Sequence, residues 1–258
     1  MDDGAMYDSS GKGVLVTGAA GDIGAEVARA FLARGARLHI TDVDAEKLAR
    51  RAESLGGAVT ASACDLAEPC EVEALAEAAL AALGRVDILV NNAAIQAQGD
   101  LESCSMELFD QAYAINVRAP YLLAKLLVPS MRAAGGGAIV NVASVHATAP
   151  GPKRLAYATS KTALLGLTRS LAVDLGRDNI RVNAVSPGAT LTSQLQEAWE
   201  GADGTGVMTH AMAQHPLGRI AEVSEIAEAV VYLAEAGFVH GTELRVDGGL
   251  LSALRLLP

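Results

Sequence analysis

Cysteine, aromatic residues and long apolar runs are all scarce in this sequence of 258 residues. The cysteines are Cys64, Cys70 and Cys104, an odd number without paired spacing, which is a poor disulfide framework and predicts a reducing, cytoplasmic compartment. No C-x-x-C or H-x-x-x-H pattern occurs, so we predict no metal site. Since no stretch approaches the roughly 18 consecutive apolar residues of a membrane-spanning helix, we expect no membrane association.

Basic residues are also in the minority. The chain has 20 Lys and Arg against 30 Asp and Glu, a net charge of −10. A surface of this sign is unsuited to neutralising nucleic-acid phosphates, although binding a single nucleotide needs only local groups. The first twelve residues carry acids where a signal peptide requires bases, and no apolar core follows them. We therefore predict a flexible tail at 1–12 and one domain at 13–258.

Short apolar runs alternate with helical stretches over the rest of the chain. This alternation predicts an α/β fold with a mostly parallel sheet and helices on both faces. The segment 188–216 lacks a clear period and is expected to be irregular or mobile. The candidate strands are 13–17, 36–41, 58–62, 86–91, 137–144, 180–186 and a short one within 241–249.

A glycine-rich turn, TGAAGDIG, follows the first candidate strand and opens the first helix. Glycines allow a tight turn and close approach to a pyrophosphate, while the helix N-terminus offers free N–H groups. Such a turn alone is weak evidence, because ordinary turns also use glycine. The residues predicted to bind the cofactor here are Gly18, Gly21, Asp22, Ile23 and Gly24.

An acidic residue at the end of the second strand strengthens the hypothesis of a dinucleotide site. Asp42 lies eighteen residues after Gly24, where such folds place a carboxylate that accepts ribose hydroxyls. The same carboxylate would repel a 2′-phosphate, and no Arg or Lys lies in the turn or immediately after Asp42. The pattern therefore favours NAD(H) over NADP(H), although Asp42 could also be a solvated strand end or a helix cap.

Tyr-x-x-x-Lys occurs twice, at Tyr157–Lys161 and Tyr121–Lys125. Four residues apart on a helix means one face, and an ammonium beside a phenol lowers the phenol pKa toward the range useful for acid–base catalysis. Tyr157 follows Ser144, at the end of the fifth strand, by thirteen residues. Tyr121 lies in an apolar run without a hydroxyl partner, so we assign the catalytic role to Tyr157 and a structural role to the other pair.

Together these motifs resemble the short-chain dehydrogenase/reductase family, in its short, single-domain branch. The resemblance covers Gly13 to Gly249 and rests on the order and spacing of the motifs. Besides those above, they are Asp65-Leu66, Asn91-Asn92-Ala93-Ala94, Asn116, Pro187-Gly188 with Thr192, and Val246-Asp247-Gly248-Gly249. It implies a doubly wound Rossmann-type sheet of seven strands with the catalytic site in the same NAD-binding domain.

The resemblance also implies roles for individual residues. Ser144 and Tyr157 would hydrogen-bond the substrate oxygen, Lys161 would bind the nicotinamide ribose, and Asn116 would hold a water that links Lys161 to solvent. The implied reaction is hydride transfer between NAD and a secondary alcohol or carbonyl, with Tyr157 as general acid or base. The other residues implied to contact the cofactor are Asp65, Leu66, Asn91, Ala93, Ala94, Pro187, Gly188, Thr190 and Thr192.

Two features depart from the family pattern. Asp22 replaces the middle glycine of the usual turn, which places a carboxylate near the expected pyrophosphate and gives a glycine spacing like that of epimerases and dehydratases. The segment from Leu233 to Gly241 is about two residues short. A sugar-nucleotide epimerase or dehydratase, or a non-catalytic dinucleotide sensor, therefore remains as an alternative to the dehydrogenase.

The substrate and the assembly are less defined. Gln96 and His146 follow the cofactor and serine motifs and would suit a small hydroxylated substrate such as a sugar or polyol, although both could be rim residues in water. The helix Leu155 to Leu175, the segment Ala119 to Ala134 and the apolar end at 250–258 predict a homo-oligomer, either a dimer or a homotetramer.

Overall fold

The computed structural model describes residues 8–200, 209 and 211–253, with 198–200 described by backbone alone. Seven strands form one sheet in the order β3-β2-β1-β4-β5-β6-β7, and every neighbouring pair is parallel. This confirms the predicted doubly wound fold. The strands are β1 Gly13–Thr17, β2 Arg37–Asp42, β3 Val59–Ala63, β4 Ile88–Asn91, β5 Gly137–Val142, β6 Ile180–Pro187 and β7 Glu243–Val246.

The central strands carry continuous apolar runs because both of their faces are buried. Alternate residues point to opposite cores: Val14 and Val16 belong to one apolar cluster, and Leu15 between them belongs to the other. The helices are α1 Asp22–Ala33, α2 Ala45–Leu55, α3 Pro69–Leu83, α4 Met106–Tyr113, α5 Ala119–Ala133, α6 Leu155–Leu175, α7 Ser193–Glu200 and α8 Val223–Glu235.

Helices cover both faces of the sheet. Phe31 of α1, Leu48 of α2 and Val230 of α8 are buried in the cluster on one face. Leu75 of α3 and Leu127 of α5 are buried in the cluster on the other, together with the end of α6. The strand order reverses between β1 and β4, so a crevice opens at their carboxyl ends, where open α/β sheets bind ligands.

Two segments differ from the sequence expectations. The region 188–216, expected to be irregular, contains helix α7 and a helical turn at 211–214, while 201–208 and 210 lie outside the described residues. In the predicted flexible tail, Ser9 is 1% exposed and its N–H lies 3.3 Å from Glu235 Oε1. The Gly11 N–H also donates to Gly35 O at 2.9 Å, so residues 8–12 pack on the domain, and 1–7 lie outside the described residues.

Within the described part of the chain, no helix has both the length and the hydrophobicity needed to cross a membrane. In the same part, no three His, Cys, Asp or Glu side chains gather as a possible metal site.

Candidate active site

The glycine-rich turn follows β1 and rests directly on the chain after β4. Gly18 has φ 68°, and a Cβ there would lie 2.7 Å from Ala93 Cα. A Cβ at Gly24 would lie 2.3 Å from Gly18 O. Both contacts are too short for any side chain, so these two glycines are required by the packing of the turn.

Asn92 fastens the turn to the sheet. Its Nδ2 donates to Thr17 O at 2.9 Å and to Gly18 O at 3.1 Å, while Thr17 Oγ1 accepts the N–H groups of Asn92 and Ala93. Asn92 belongs to the Asn-Asn-Ala-Ala motif, but of the two asparagines only Asn91 was predicted to contact the cofactor. Asn91 is buried and donates to Asn141 Oδ1 on β5 at 2.8 Å.

The N-terminus of α1 presents free amides at this turn. Gly21 precedes the helix without a side-chain cap, and the first intrahelical bond runs from Ala25 N to Gly21 O. Among the described residues, the N–H groups of Asp22, Ile23 and Gly24 have no acceptor. Three such donors together with the helix dipole form a site that favours an anion.

The Asp22 carboxylate, at the position that departs from the family pattern, is fully engaged. Its Oδ1 lies 2.7 Å from Arg51 Nη2, and its Oδ2 accepts both the N–H and the hydroxyl of Ser193 at 2.7 Å. Burial alone would raise the pKa of Asp22, but the Ser193 hydrogen bonds and the Arg51 charge together lower it. The ion pair offsets much of the repulsion that a lone carboxylate here would exert on a bound anion.

Asp42 ends β2 beside the turn, as predicted. Its Oδ2 accepts the Ala20 N–H at 3.0 Å, and its Oδ1 accepts the Asp44 N–H at 3.2 Å. Arg51 approaches Ala20 from α2, with its Nε 3.4 Å from Ala20 O. Arg51 was missed in the sequence analysis because it lies nine positions after Asp42, on a neighbouring helix.

The residues predicted beside the adenine lie after β3. Asp65 Oδ1 accepts the Ala67 N–H at 2.8 Å, which shapes the loop, and Leu66 is buried in the core. Ala93 is partly buried against the glycine turn, whereas Ala94 is exposed.

Tyr157 and Ser144 meet at the carboxyl edge of the sheet. Tyr157 lies on α6 and is 8% exposed, and the side chain of Ser144, which follows β5, lies close enough to act on the pKa of its phenol. Burial raises the pKa of Tyr157, while the Ser144 hydroxyl and the charge of Arg154 act in the opposite direction. The phenol is therefore neutral at ordinary pH, which suits a proton donor.

Lys161 lies one turn further along α6, on the same face. Its Nζ lies 5.9 Å from the centroid of the Tyr157 ring and donates to Val142 O at 2.6 Å. Complete burial lowers the pKa of Lys161 to about 7. The expectation that its ammonium lowers the pKa of Tyr157 is therefore not met in the protein alone, because burial raises the pKa of the phenol and removes much of the positive charge.

Asn116 lies in a five-residue π-helical segment, Ala114–Arg118, that joins α4 to α5. Its Oδ1 accepts the Ile95 N–H at 2.9 Å, and its Nδ2 donates to Ile95 O at 3.1 Å and to Ser160 Oγ at 2.9 Å. Ser160 in turn donates to Tyr157 O at 2.8 Å. Asn116 thus ties the loop after β4 to the helix that carries Tyr157, and π-bulges of this kind are frequent at functional sites.

His146 lies against the tyrosine, whereas Gln96 does not. The His146 ring meets the Tyr157 ring edge-on with centroids 6.0 Å apart, and its Nδ1 accepts the Gly151 N–H at 3.0 Å. Burial, aided by the charge of Arg154, lowers the pKa of His146. Gln96 is exposed. The second Tyr–Lys pair, Tyr121 and Lys125, lies on an exposed side of α5, whereas Tyr157 and Lys161 are buried.

The loop after β6 closes the other side of the crevice. The Gly188 N–H donates to Val246 O at 2.9 Å, and a Cβ on Gly188 would lie 3.0 Å from Asp247 Cα. Thr190 is buried and its hydroxyl donates to Gly188 O at 3.2 Å. Thr192 Oγ1 accepts the Leu195 N–H at 3.2 Å and so caps α7. Pro187, the last residue of β6, is fully within the buried strand.

Similar proteins were found over most of the chain. A family model described as enoyl-(acyl carrier protein) reductase matches residues 18–251. D-threitol dehydrogenase of Mycolicibacterium smegmatis is 40% identical over 244 residues, which is 93% of this chain and 92% of that protein.

Two solved structures share the fold over nearly their whole length. L-sorbose reductase from Gluconobacter frateurii, complexed with NADPH and L-sorbose, has a TM-score of 0.91 at 34% identity and covers 96% of this chain and 100% of that one. For 3-ketoacyl-(acyl-carrier-protein) reductase from Brucella melitensis, complexed with NADH, the values are 0.86 and 35%, with 93% and 98% covered. With the motifs assembled at one edge of the sheet, these likenesses show that the chain belongs to the short-chain dehydrogenase/reductase family of oxidoreductases.

Proposed function

We propose that this protein is an NAD(H)-dependent oxidoreductase that interconverts a secondary alcohol and a carbonyl. One observation carries the proposal: the Tyr157 phenol, beside Ser144 and with Lys161 one turn away, lies at the same sheet edge as the glycine-rich turn. Relatives that act on a polyol and on a ketose support the reaction class.

The residues present fit a dinucleotide. Gly18 and Gly24 leave a cradle that a Cβ would fill, and the free amides of Asp22, Ile23 and Gly24 suit a pyrophosphate. Asp42 would accept the adenosine ribose hydroxyls. The residues that would lie along the rest of the cofactor are Asp65, Leu66, Asn91, Ala93, Ala94, Lys161, Pro187, Gly188, Thr190 and Thr192.

The side chains of this chain would handle the proton. The bound nicotinamide supplies the hydride acceptor or donor. Ser144 and Tyr157 hold the substrate oxygen between two hydroxyls, and Tyr157 gives its proton to a carbonyl oxygen or takes one from a hydroxyl. Because burial raises the pKa of Tyr157, the phenol is protonated at neutral pH, so we expect reduction to work near neutrality and oxidation to speed up as the pH rises.

Charge at the ribose site supports NAD(H). Asp42 is held against the turn by the Ala20 N–H, where a 2′-phosphate would meet its negative charge. Arg51 is the nearby cation, but its charge is paired with Asp22. Similar proteins are complexed with NADPH in one structure and with NADH in another, so this preference is part of the proposal.

The setting proposed for the enzyme follows from the rest of the chain. We place the cofactor and catalytic sites in one domain at 13–258, acting on a small-molecule substrate. Val173 and Tyr121 are 84% and 47% exposed on α6 and α5, which supports a homo-oligomer, dimer or tetramer, built on these helices. Unpaired thiols at Cys64, Cys70 and Cys104 support a cytoplasmic location.

Hydride transfer to NAD⁺ or NADP⁺ from a panel of secondary alcohols, followed at the absorbance of the reduced nicotinamide, tests the proposal. Tyr157→Phe should lower kcat by about 100-fold or more and leave cofactor binding intact, since a positioned acid or base contributes about 10²–10⁴-fold. Tyr121→Phe is the matched control and should keep wild-type turnover. Wild-type turnover in Tyr157→Phe, or cofactor binding without turnover on any alcohol or carbonyl, would refute the assignment.

A further inference from the structure

Arg154, three positions before Tyr157, has a buried guanidinium nitrogen that pairs with none of the described residues. It is the residue immediately before α6, and its Nη1 is buried without a hydrogen-bond partner in the described part of the chain. The ion pairs among the described residues involve seven other arginines but not Arg154. In a chain with an excess of 10 acidic residues, this absence does not reflect a shortage of carboxylates.

A buried guanidinium atom without a partner is costly. Moving a charged group out of water is unfavourable unless hydrogen bonds and an opposite charge replace the lost solvation. The unpaired Nη1 therefore marks a place where a ligand can supply the missing acceptor. Anionic oxygen groups are the best partners, because the planar fork of guanidinium matches a carboxylate in a two-point contact.

Arg154 immediately precedes α6, and Tyr157 is the third residue of that helix, so the two lie within about one helical turn of each other. Its charge opposes the burial that raises the pKa of Tyr157 and adds to the burial that lowers the pKa of His146, and the rings of those two residues meet edge-on. An anion bound by Arg154 would therefore sit near the hydroxyl that Tyr157 serves. Neither Ser144 nor His146 adds a negative charge that would satisfy the guanidinium.

The backbone at this position is held firmly. Gly99 pairs with Arg154 in an isolated parallel bridge, in which Gly99 N donates to Lys153 O at 2.9 Å and Leu155 N donates to Gly99 O at 3.1 Å. The Arg154 carbonyl accepts the Ala158 N–H at 2.7 Å in the first turn of α6. A cation mounted on a fixed backbone is suited to orienting a ligand rather than to general attraction.

We propose that Arg154 is a substrate-binding residue and that the substrate is an anionic hydroxy compound, a hydroxy acid in the first instance, rather than a neutral alcohol. This inference rests on the proposed function, because it names the substrate class of that same site. Arg154 would pair with the carboxylate while Ser144 and Tyr157 hold the hydroxyl or carbonyl oxygen.

Matched substrates test the inference. Glucitol, gluconate and glucitol 6-phosphate, and in a second series 2-butanol and 3-hydroxybutyrate, compare neutral, carboxylate and phosphate forms of related skeletons. We expect kcat/KM to be at least about tenfold higher for the preferred anion, and Arg154→Gln to lower that value about 10- to 100-fold, mainly through KM. Turnover of the neutral compounds should fall by a clearly smaller factor than turnover of the anions. If Arg154→Gln loses more kcat/KM for gluconate than for glucitol 6-phosphate, the group bound by Arg154 is a carboxylate. The reverse result identifies a phosphate.

Two variants separate a specific contact from general electrostatics. Lys153→Gln removes the same charge one position earlier, on an exposed residue, and should leave the anion preference unchanged. Arg154→Lys keeps the charge but loses the fork, so it should retain only part of the preference. Equal losses in Lys153→Gln and Arg154→Gln would overturn the proposal.

A binding measurement keeps this test separate from that of the proposed function. Isothermal titration of gluconate and 3-hydroxybutyrate into the enzyme with NAD⁺ should give weaker binding for Arg154→Gln, even if no tested compound is oxidised. If the wild-type enzyme turns over neutral alcohols and its kcat/KM is no higher for the anions, the inference is overturned and the proposed function stands. If Arg154→Gln only shifts the pH profile of neutral turnover upward, Arg154 acts on the Tyr157 pKa alone and the inference is also overturned.

Discussion

Asp22 and Ser193, which lie 171 positions apart in the chain, are joined by two hydrogen bonds to a single carboxylate oxygen. The Ser193 N–H and hydroxyl both lie 2.7 Å from Asp22 Oδ2. Asp22 begins α1 at the glycine-rich turn, and Ser193 begins α7 directly after Thr192. The carboxylate therefore ties the proposed pyrophosphate site to the segment that covers the far side of the crevice.

Asp22→Ala should loosen the start of α7. Hydrogen bonds to a charged group contribute about 1.5–3 kcal/mol each, so we expect the Ser193 amide to exchange with solvent at least about tenfold faster in the variant. Hydrogen exchange resolved at residues 192–197 measures this. Glu26→Ala is the control, because Glu26 lies on the same helix and, among the described residues, its carboxylate pairs only with Arg29. Unchanged exchange at Ser193 in Asp22→Ala would show that the tie does not hold the helix.

Asp42→Ala should relax the cofactor preference. Removing the carboxylate removes the repulsion of a 2′-phosphate, and like charges in direct contact cost several kcal/mol. We expect the ratio of Kd for NADP⁺ to Kd for NAD⁺ to fall about tenfold or more, measured by titration of each cofactor. Asp44→Ala, whose carboxylate caps α2 two positions further on, should leave the ratio unchanged. A wild type that already prefers NADP⁺ would contradict the charge argument.

Asn116→Ala should lower both stability and activity. The variant leaves the Ile95 N–H and carbonyl without their partners, and an unsatisfied buried polar group costs about 1–3 kcal/mol. We expect the free energy of unfolding to fall by about 2 kcal/mol or more and kcat to fall with it. Denaturant titration and kinetics on the same samples check both effects.

Asn116→Asp separates the acceptor contact of that side chain from its two donor contacts. The carboxylate keeps an acceptor for the Ile95 N–H but cannot donate to Ile95 O or Ser160 Oγ. If its stability equals that of Asn116→Ala, the acceptor contact has little value. Wild-type stability in Asn116→Ala would show that the link between the loop after β4 and α6 is not structural.

The sequence predicted the sheet well because its signal is local. Strands such as Val14–Val16 are buried on both faces and read as apolar runs, and helices such as α3 carry their own alanine-rich pattern. Helix α7 was missed because it is only eight residues long and mostly polar. The hydrogen bonds that hold its start come from Asp22, which is far away in the chain. Periodicity cannot reveal such a contact.

For Tyr157 and Lys161 the sequence predicted the position in the fold but not the pKa. The four-residue spacing correctly placed Tyr157 and Lys161 on one buried face of α6. The pKa of each group depends on desolvation, which the sequence does not record. The pKa of Tyr157 was therefore predicted to be lowered, whereas burial raises it. Arg51 and Arg154 reach the site through the fold, from a neighbouring helix and from a loop paired with Gly99.

The lowered pKa of Lys161 predicts a pH dependence of stability. In the unfolded chain the ammonium has its ordinary pKa of 10.5, whereas in the folded protein burial lowers it to about 7. Between these values the unfolded state binds more protons, so the free energy of unfolding rises with pH. Below pH 7 Lys161 is protonated in both states and its contribution no longer changes.

Denaturant titrations of the cofactor-free protein between pH 7 and 8.5 measure this slope, which is at most about 1.4 kcal/mol per pH unit for one proton. This pH window lies above the titration of the carboxylates and of His39 and His146, whose pKa values are lowered. It lies below the pH range in which the raised pKa values of Cys64 and Tyr157 would make the free energy of unfolding fall with pH. Lys161→Met should abolish the slope, because it fills the same space without a titratable group. Lys125→Met, on the exposed side of α5, should keep it, and an equal slope in wild type and Lys161→Met would show that the buried lysine retains its proton above pH 8.5.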